Sequence, residues 1–281
     1  MSLPAGTRAG SVASLALCAF LWSTAGILLK LVDWDPFAIA GGRSLVGFLS
    51  MWLFVRRPRF TFSRNQILAA FFYSATMILF ILANKMTTSA NAVLLQYMEP
   101  IFIVILGRYL LRDETATGFD WLIIAGVIGG MVLFFLDDLS LQANLGNLLA
   151  ILSGVTFALM TIFMRRQKDS SPTESIMLAH LLTVAVAIPF MLRAGPPDAR
   201  GAAGLLLLGF FQVGLSSLFY GIGVRGVSAL GTSLITMIEP VFNPVWVAIF
   251  AREYPSPRAA AGGAIILACV AARTVLKARK V

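Results

Sequence analysis

The chain has 281 residues, 58% of them hydrophobic and 12% charged, with a mean hydropathy of +0.86. Soluble domains carry about 25% charged residues, so a soluble fold could not cover this much apolar surface, and lipid is the solvent that resolves the conflict. The net charge of +9 and pI near 10.2 raise nucleic acid as a partner. The basic residues exclude it, because they sit in short segments between apolar runs and not on a face with interleaved aromatics.

Ten apolar runs are long enough to cross a bilayer at about 20 residues each. In chain order they are 11–31, 36–55, 66–85, 90–111, 118–136, 145–164, 174–192, 202–223, 228–250 and 258–276, numbered here spans 1 to 10. Residues 12–29 resemble a signal peptide, but no small-residue cleavage site follows, and they are read as span 1. Trp22 lies near the middle of span 1, while Trp34, Trp52, Trp121 and Trp246 fall near span ends, where headgroup belts favour the indole ring. Arg43 sits about two turns inside span 2, and His180 about as deep in span 7. Span 4 reads Gln96-Tyr97-Met98-Glu99-Pro100, and span 9 reads Thr236-Met237-Ile238-Glu239-Pro240 before Asn243-Pro244. Gly126-xxx-Gly130 in span 5 and Gly262-Gly263 in span 10 let helices approach closely, either within a monomer or across a weak homodimer. Cys18 and Cys269 lie inside apolar runs and are read as packing residues. With one histidine and no metal-ligand spacing, neither a metal nor a cofactor is expected.

Topology follows from the basic residues. With the N-terminus in the cytoplasm, the inner segments hold 15 Lys and Arg (Arg8, Arg56, Arg57, Arg59, Arg64, Arg108, Arg112, Arg165, Arg166, Lys168, Arg225, Arg273, Lys277, Arg279 and Lys280). The outer segments hold 6 (Lys30, Lys85, Arg193, Arg200, Arg252 and Arg258), which places both termini in the cytoplasm of a multi-pass inner-membrane protein.

The two halves repeat. An offset of 140 residues pairs Glu99-Pro100 with Glu239-Pro240, Lys85 with Arg225, Arg112-Asp113 with Arg252-Glu253, and Phe80 with Tyr220. Residues 1–140 and 141–281 are therefore expected to be two five-span units. Five is odd, so the second unit enters the membrane from the opposite side, the inverted-repeat architecture of many secondary transporters. The ten spans, the paired Glu-Pro, the mid-span Trp22 and Arg43 resemble the EamA-type drug/metabolite transporter superfamily, and in length and layout the bacterial exporters of aromatic and other neutral amino acids. That resemblance implies an all-α membrane fold, two inverted five-helix repeats around a central cavity lined mainly by spans 1, 3, 4, 6, 8 and 9.

Glu99 and Glu239 are the two acids deep inside spans, where an ionisable group needs a cavity or a partner. They are expected either to meet a substrate ammonium or carry a proton, or to hold the span 4/span 9 crossing together. Pro100 and Pro240 each remove a backbone hydrogen bond and free the carbonyls of Gln96 and Thr236, and Pro244 makes span 9 the more readily bent, so the three prolines are candidate hinges. Thr232, Thr236, Glu239 and Asn243 share one face of span 9, and that stripe is expected to line the cavity. Trp22, Phe80, Tyr97, Phe157 and Tyr220 are candidate aromatic walls. Arg43 and His180 are candidates for a charge or proton role, Arg43 meeting a substrate carboxylate or pairing with a Glu.

These features predict a secondary transporter that exports amino acids or similar small metabolites by alternating access. The chain has no Walker-type phosphate loop, and no nucleophile–base pair or metal cluster for intramembrane catalysis, so an enzyme is not expected. The alternatives are a passive channel or facilitator, or an exporter of other metabolites or cationic drugs.

Overall fold

The computed structural model describes residues 7–29, 31–111, 113–136, 144–251 and 256–278. Lys30, Arg112, Arg252-Glu253, Arg279 and Lys280 lie outside the described residues, as do the side chains of Asn243, Pro244 and Lys277. Among the described residues, eight helices are long and apolar enough to cross a membrane: Pro36–Val55, Arg64–Met86, Ala90–Leu110, Gly118–Phe135, Asn144–Arg165, Pro172–Ala194, Ala199–Gly226 and Pro257–Leu276. The shorter apolar helices Arg8–Ser23 and Ala229–Phe242 complete the ten expected spans.

Local chemistry explains where the spans begin. Asp35 accepts from the amides of Phe37 (2.9 Å) and Ala38 (3.1 Å) with Pro36 in the first turn, an arrangement that starts span 2 cleanly. Thr117 and Asp120 form a capping box that starts span 5. Spans 4 and 9 are each broken in the middle, into Ser89–Gln96 and Glu99–Leu110, and into Ala229–Thr236 and Glu239–Ala251. Pro100 and Pro240 therefore stand in the first turn of a new half-helix, where a missing N–H costs nothing, and are not kinks within continuous helices.

The packing has a two-fold logic. Span 3 lies along span 6 as span 8 lies along span 1, span 2 meets span 8 as span 7 meets span 3, and spans 2 and 7, like 5 and 10, pair with their own counterparts. Exchanging the repeats maps this set of contacts onto itself. Spans 5 and 10 touch through backbone. A Cβ on Gly130 would lie 2.9 Å from the Gly262 carbonyl oxygen, and one on Gly262 would lie 2.5 Å from that of Gly130. The glycine pairs thus serve packing inside the chain.

The same pair of spans carries a buried ion pair. Arg273 Nε lies 2.9 Å from Asp120 Oδ1, with the side chains 7% and 0% exposed, and Asp120 Oδ2 accepts from Thr117. Removing one partner strands a charge, so Arg273→Ala is expected to lower the unfolding free energy by about 3 kcal/mol. Denaturant titration in detergent measures it, and a loss below about 1 kcal/mol would show the pair to be screened by solvent.

Candidate functional site

A cavity of about 480 Å³ begins at mid-span and reaches the span ends marked by Leu29, Pro36 and Lys85. Trp22, Arg43, Phe80, Gln96, Tyr97, Phe157 and Glu239 line it together with Tyr73, Met77, Asn84 and Gln212. Its volume falls within the range of small-molecule sites, roughly 300–1,000 Å³. A second, larger cleft of about 1050 Å³ lies at the opposite end of the spans, among Arg8, Leu111, Glu114, Asp120 and Arg273. Size does not make the larger cleft the better candidate. Its Glu114, Asp120 and Arg273 are all held in ion pairs, whereas the smaller cavity exposes charged groups that lack full partners.

Two such groups face the smaller cavity. Glu239, the first residue of its half-helix, accepts a 2.5 Å hydrogen bond from the Tyr97 hydroxyl through Oε2. Its Oε1 has no partner among the described residues. Arg43 has one hydrogen bond among the described residues, from Nη2 to the Met77 sulfur at 3.6 Å, and no ion pair to either glutamate. A thioether is a weak acceptor, so the guanidinium retains nearly all its donor capacity. Aromatic rings supply the wall: Trp22 stacks on Tyr220 (centroids 5.7 Å apart, 26° between planes) and packs against Phe157 at 6.3 Å.

The structure separates residues that the sequence groups together. Glu99 is 0% exposed and does not line the cavity. Thr161 donates to its Oε1 and Ser233 to its Oε2, both at 2.8 Å, while the Tyr220 hydroxyl lies 3.0 Å from Thr161. Both carboxylate oxygens are occupied by hydroxyls from spans 6 and 9, so Glu99 ties helices together. Tyr220 stands behind Trp22 as part of that network and not on the cavity surface. The polar stripe of span 9 divides likewise: Thr232 and Thr236 are 0% exposed, Thr236 donates to the Ser233 carbonyl at 2.8 Å, and of the two threonines and Glu239 the acid alone lines the cavity. Helical spacing puts residues on one face, and in this part of span 9 that face meets protein. The freed Gln96 carbonyl is also packed away, 2.8 Å from where a Cβ on Gly154 would lie, while the Gln96 side chain donates to Ser153 at 2.7 Å. His180 is 2% exposed, sits edge-on to Tyr73 and lies 3.3 Å from Ser217, off the cavity surface. Tyr73 and Gln212 are cavity residues that the repeat pattern did not single out.

The architecture agrees with what similar proteins show. The family model described as the EamA-like transporter family matches residues 10–136 and again residues 144–273. The chain belongs to the EamA-like transporter family. It is a multi-pass membrane transporter of the drug/metabolite transporter superfamily, and the family model matches once in each half of the chain. It is 26% identical to the pseudopaline exporter of Pseudomonas aeruginosa over 82% of this chain and 83% of that one. It is 24% identical to an uncharacterized transporter of Archaeoglobus fulgidus, over 92% of this chain and 94% of that one. A solved crystal structure of 19% identity superposes with a TM-score of 0.83 and covers 96% of this chain and 99% of its own, a likeness of fold alone.

Proposed function

We propose that this EamA-like transporter exports small zwitterionic metabolites, neutral amino acids among them, across the cytoplasmic membrane by alternating access. The observation that carries the reading is the pairing, in one cavity, of a guanidinium with almost no protein partner and a carboxylate with one free oxygen. A substrate that brings its own carboxylate and ammonium satisfies both, and desolvated charges in a membrane interior need such satisfaction. Trp22, Phe80 and Phe157 give the side chain an apolar or aromatic surface. The pseudopaline exporter among the relatives supports the direction of transport. The excess of basic residues at the Arg8 and Arg273 end supports cytoplasmic termini, and on that reading the cavity reaching Lys85 faces the outside, the side of release.

Proteoliposomes preloaded with labelled phenylalanine, threonine or methionine test the substrate class. Efflux above empty vesicles, saturable and accelerated by unlabelled substrate on the outside, is the expected result for at least one of the three. Absence of efflux for all three would overturn it.

A further inference from the structure

Span 8 contains a π-helical stretch, Leu208–Leu215, between the α-helical pieces Ala199–Leu207 and Ser216–Gly226. Its counterpart in the other repeat, span 3, is α-helical throughout Arg64–Met86. π-turns inside helices mark functional positions more often than chance, because the extra residue re-aims a side chain. Here the stretch is packed against span 2 almost backbone to backbone. A Cβ on Gly209 would lie 2.9 Å from the Arg43 carbonyl oxygen and 2.3 Å from Val46 Cβ, and one on Gly47 would lie 2.4 Å from Val213 Cγ1. Arg43 and Gln212 therefore stand on facing backbones of one seam, and both line the same cavity.

Gln212 is 9% exposed, and its side-chain amide makes no hydrogen bond among the described residues. Its Oε1 is buried without a partner, and the side chain lines the cavity with its amide N–H donors unengaged. An amide without a partner and a guanidinium held only by a thioether present a set of N–H donors to the cavity, and although the Glu239 carboxylate lines the same cavity it makes no ion pair with Arg43, so these donors are free to grip a carboxylate. We propose that Arg43 and Gln212 form the carboxylate subsite of the cavity, and that the π-helical stretch is the device that brings Gln212 alongside Arg43. The inference rests on the zwitterion reading for the identity of the natural substrate, but carboxylate binding is measurable without it.

The test uses the full chain in lipid nanodiscs and the arginine-selective reagent phenylglyoxal, with mass spectrometry following the peptide that contains Arg43. Sodium benzoate is the probe, against sodium chloride at equal ionic strength. Benzoate is expected to slow modification of Arg43 about 10-fold while the loop arginines react unchanged. In Gln212→Leu the benzoate concentration giving half protection is expected to rise roughly 10-fold, the loss of one hydrogen bond to a charged group. In the near-isosteric Gln212→Glu, protection is expected to vanish, because the new carboxylate takes the guanidinium; this variant carries the test if the leucine variant does not fold. An Arg43 that resists the reagent, or reacts equally with and without benzoate, overturns the subsite. Unchanged half protection in a folded Gln212→Leu removes Gln212 from it. Benzoate protection without amino acid efflux leaves the subsite standing and sinks the amino acid reading; efflux without protection does the reverse.

Discussion

Glu239→Gln is expected to slow substrate efflux roughly 100-fold and to leave the protein folded, whereas Glu99→Gln is expected to damage the fold first. Glu239 offers a free oxygen to the cavity, and its one partner, the Tyr97 hydroxyl, can equally serve an amide oxygen. The substitution therefore removes little from the fold. Under the proposed mechanism it does remove the counter-charge of the substrate's ammonium, and a hydrogen bond to a charged group is worth about 1.5–3 kcal/mol, tenfold in rate or affinity for each 1.4 kcal/mol. Glu99 has no such freedom. Its oxygens receive hydroxyls from Thr161 and Ser233, and Tyr220 stands behind Thr161. A glutamine there turns one acceptor into a donor against a donor, an unsatisfied group at a fully buried position costing about 1–3 kcal/mol. Thermal unfolding in detergent and efflux from proteoliposomes, measured on both variants, separate the two roles. Equal loss of efflux in two equally stable variants would restore the symmetric pair that the sequence suggests.

That symmetry shows how far the sequence reaches. Hydropathy placed the spans closely, as with 36–55 against the helix Pro36–Val55, because a bilayer demands long apolar runs whatever packs around them. The paired Glu-Pro revealed the repeat, because backbone breaks are local. What the repeat could not carry is the partner of each acid. The offset that pairs the two glutamates sets Met237 against Tyr97, and the offset of 135 that pairs Trp22 with Phe157 sets Gly26 against Thr161. The halves share a fold and differ in the hydroxyls that make one glutamate structural and leave the other open. Gln212 was hidden for another reason. Leu205–Leu215 is apolar nearly all round, so it has no hydrophobic phase from which a slip to π geometry could be read. In span 9 the phase was legible, and Thr232, Thr236 and Glu239 do share a side, but periodicity says which residues face together and not whether they meet water or protein.

Neutralising Arg165 is expected to open the end of the molecule opposite the cavity mouth. Arg165 Nε lies 2.5 Å from Glu114 Oε1, and its Nη1 donates to the carbonyls of Val224, at 3.0 Å, and Arg225. Glu114 Oε2 in turn accepts from the Ala229 amide at 2.7 Å. One side chain from the end of span 6 and one from the loop after span 4 thus clamp the turn between spans 8 and 9, across the boundary of the repeats. The side chains are 14% and 20% exposed, shielded enough for the pair to count for more than a surface bridge. Under the proposed mechanism this end must part when the other closes, so the clamp would favour the outward-open arrangement, and its loss would raise the population of the opposite one in proportion to the energy removed. The reporter is Leu234→Cys, with Cys18 and Cys269 replaced by serine. Leu234 is 1% exposed and lies one turn deeper than Leu230, which borders the second cleft. Arg165→Gln is expected to speed its reaction with N-ethylmaleimide about 10-fold, the effect of losing about 1.4 kcal/mol of charged hydrogen bonding. Ala70→Cys, at a 0% exposed position in span 3, distinguishes gating from general loosening and is expected to stay unreactive. Leu234→Cys reacting at the same rate with and without Arg165 would make the clamp a static brace, and acceleration at both positions would mean that the variant unfolds locally instead of changing state.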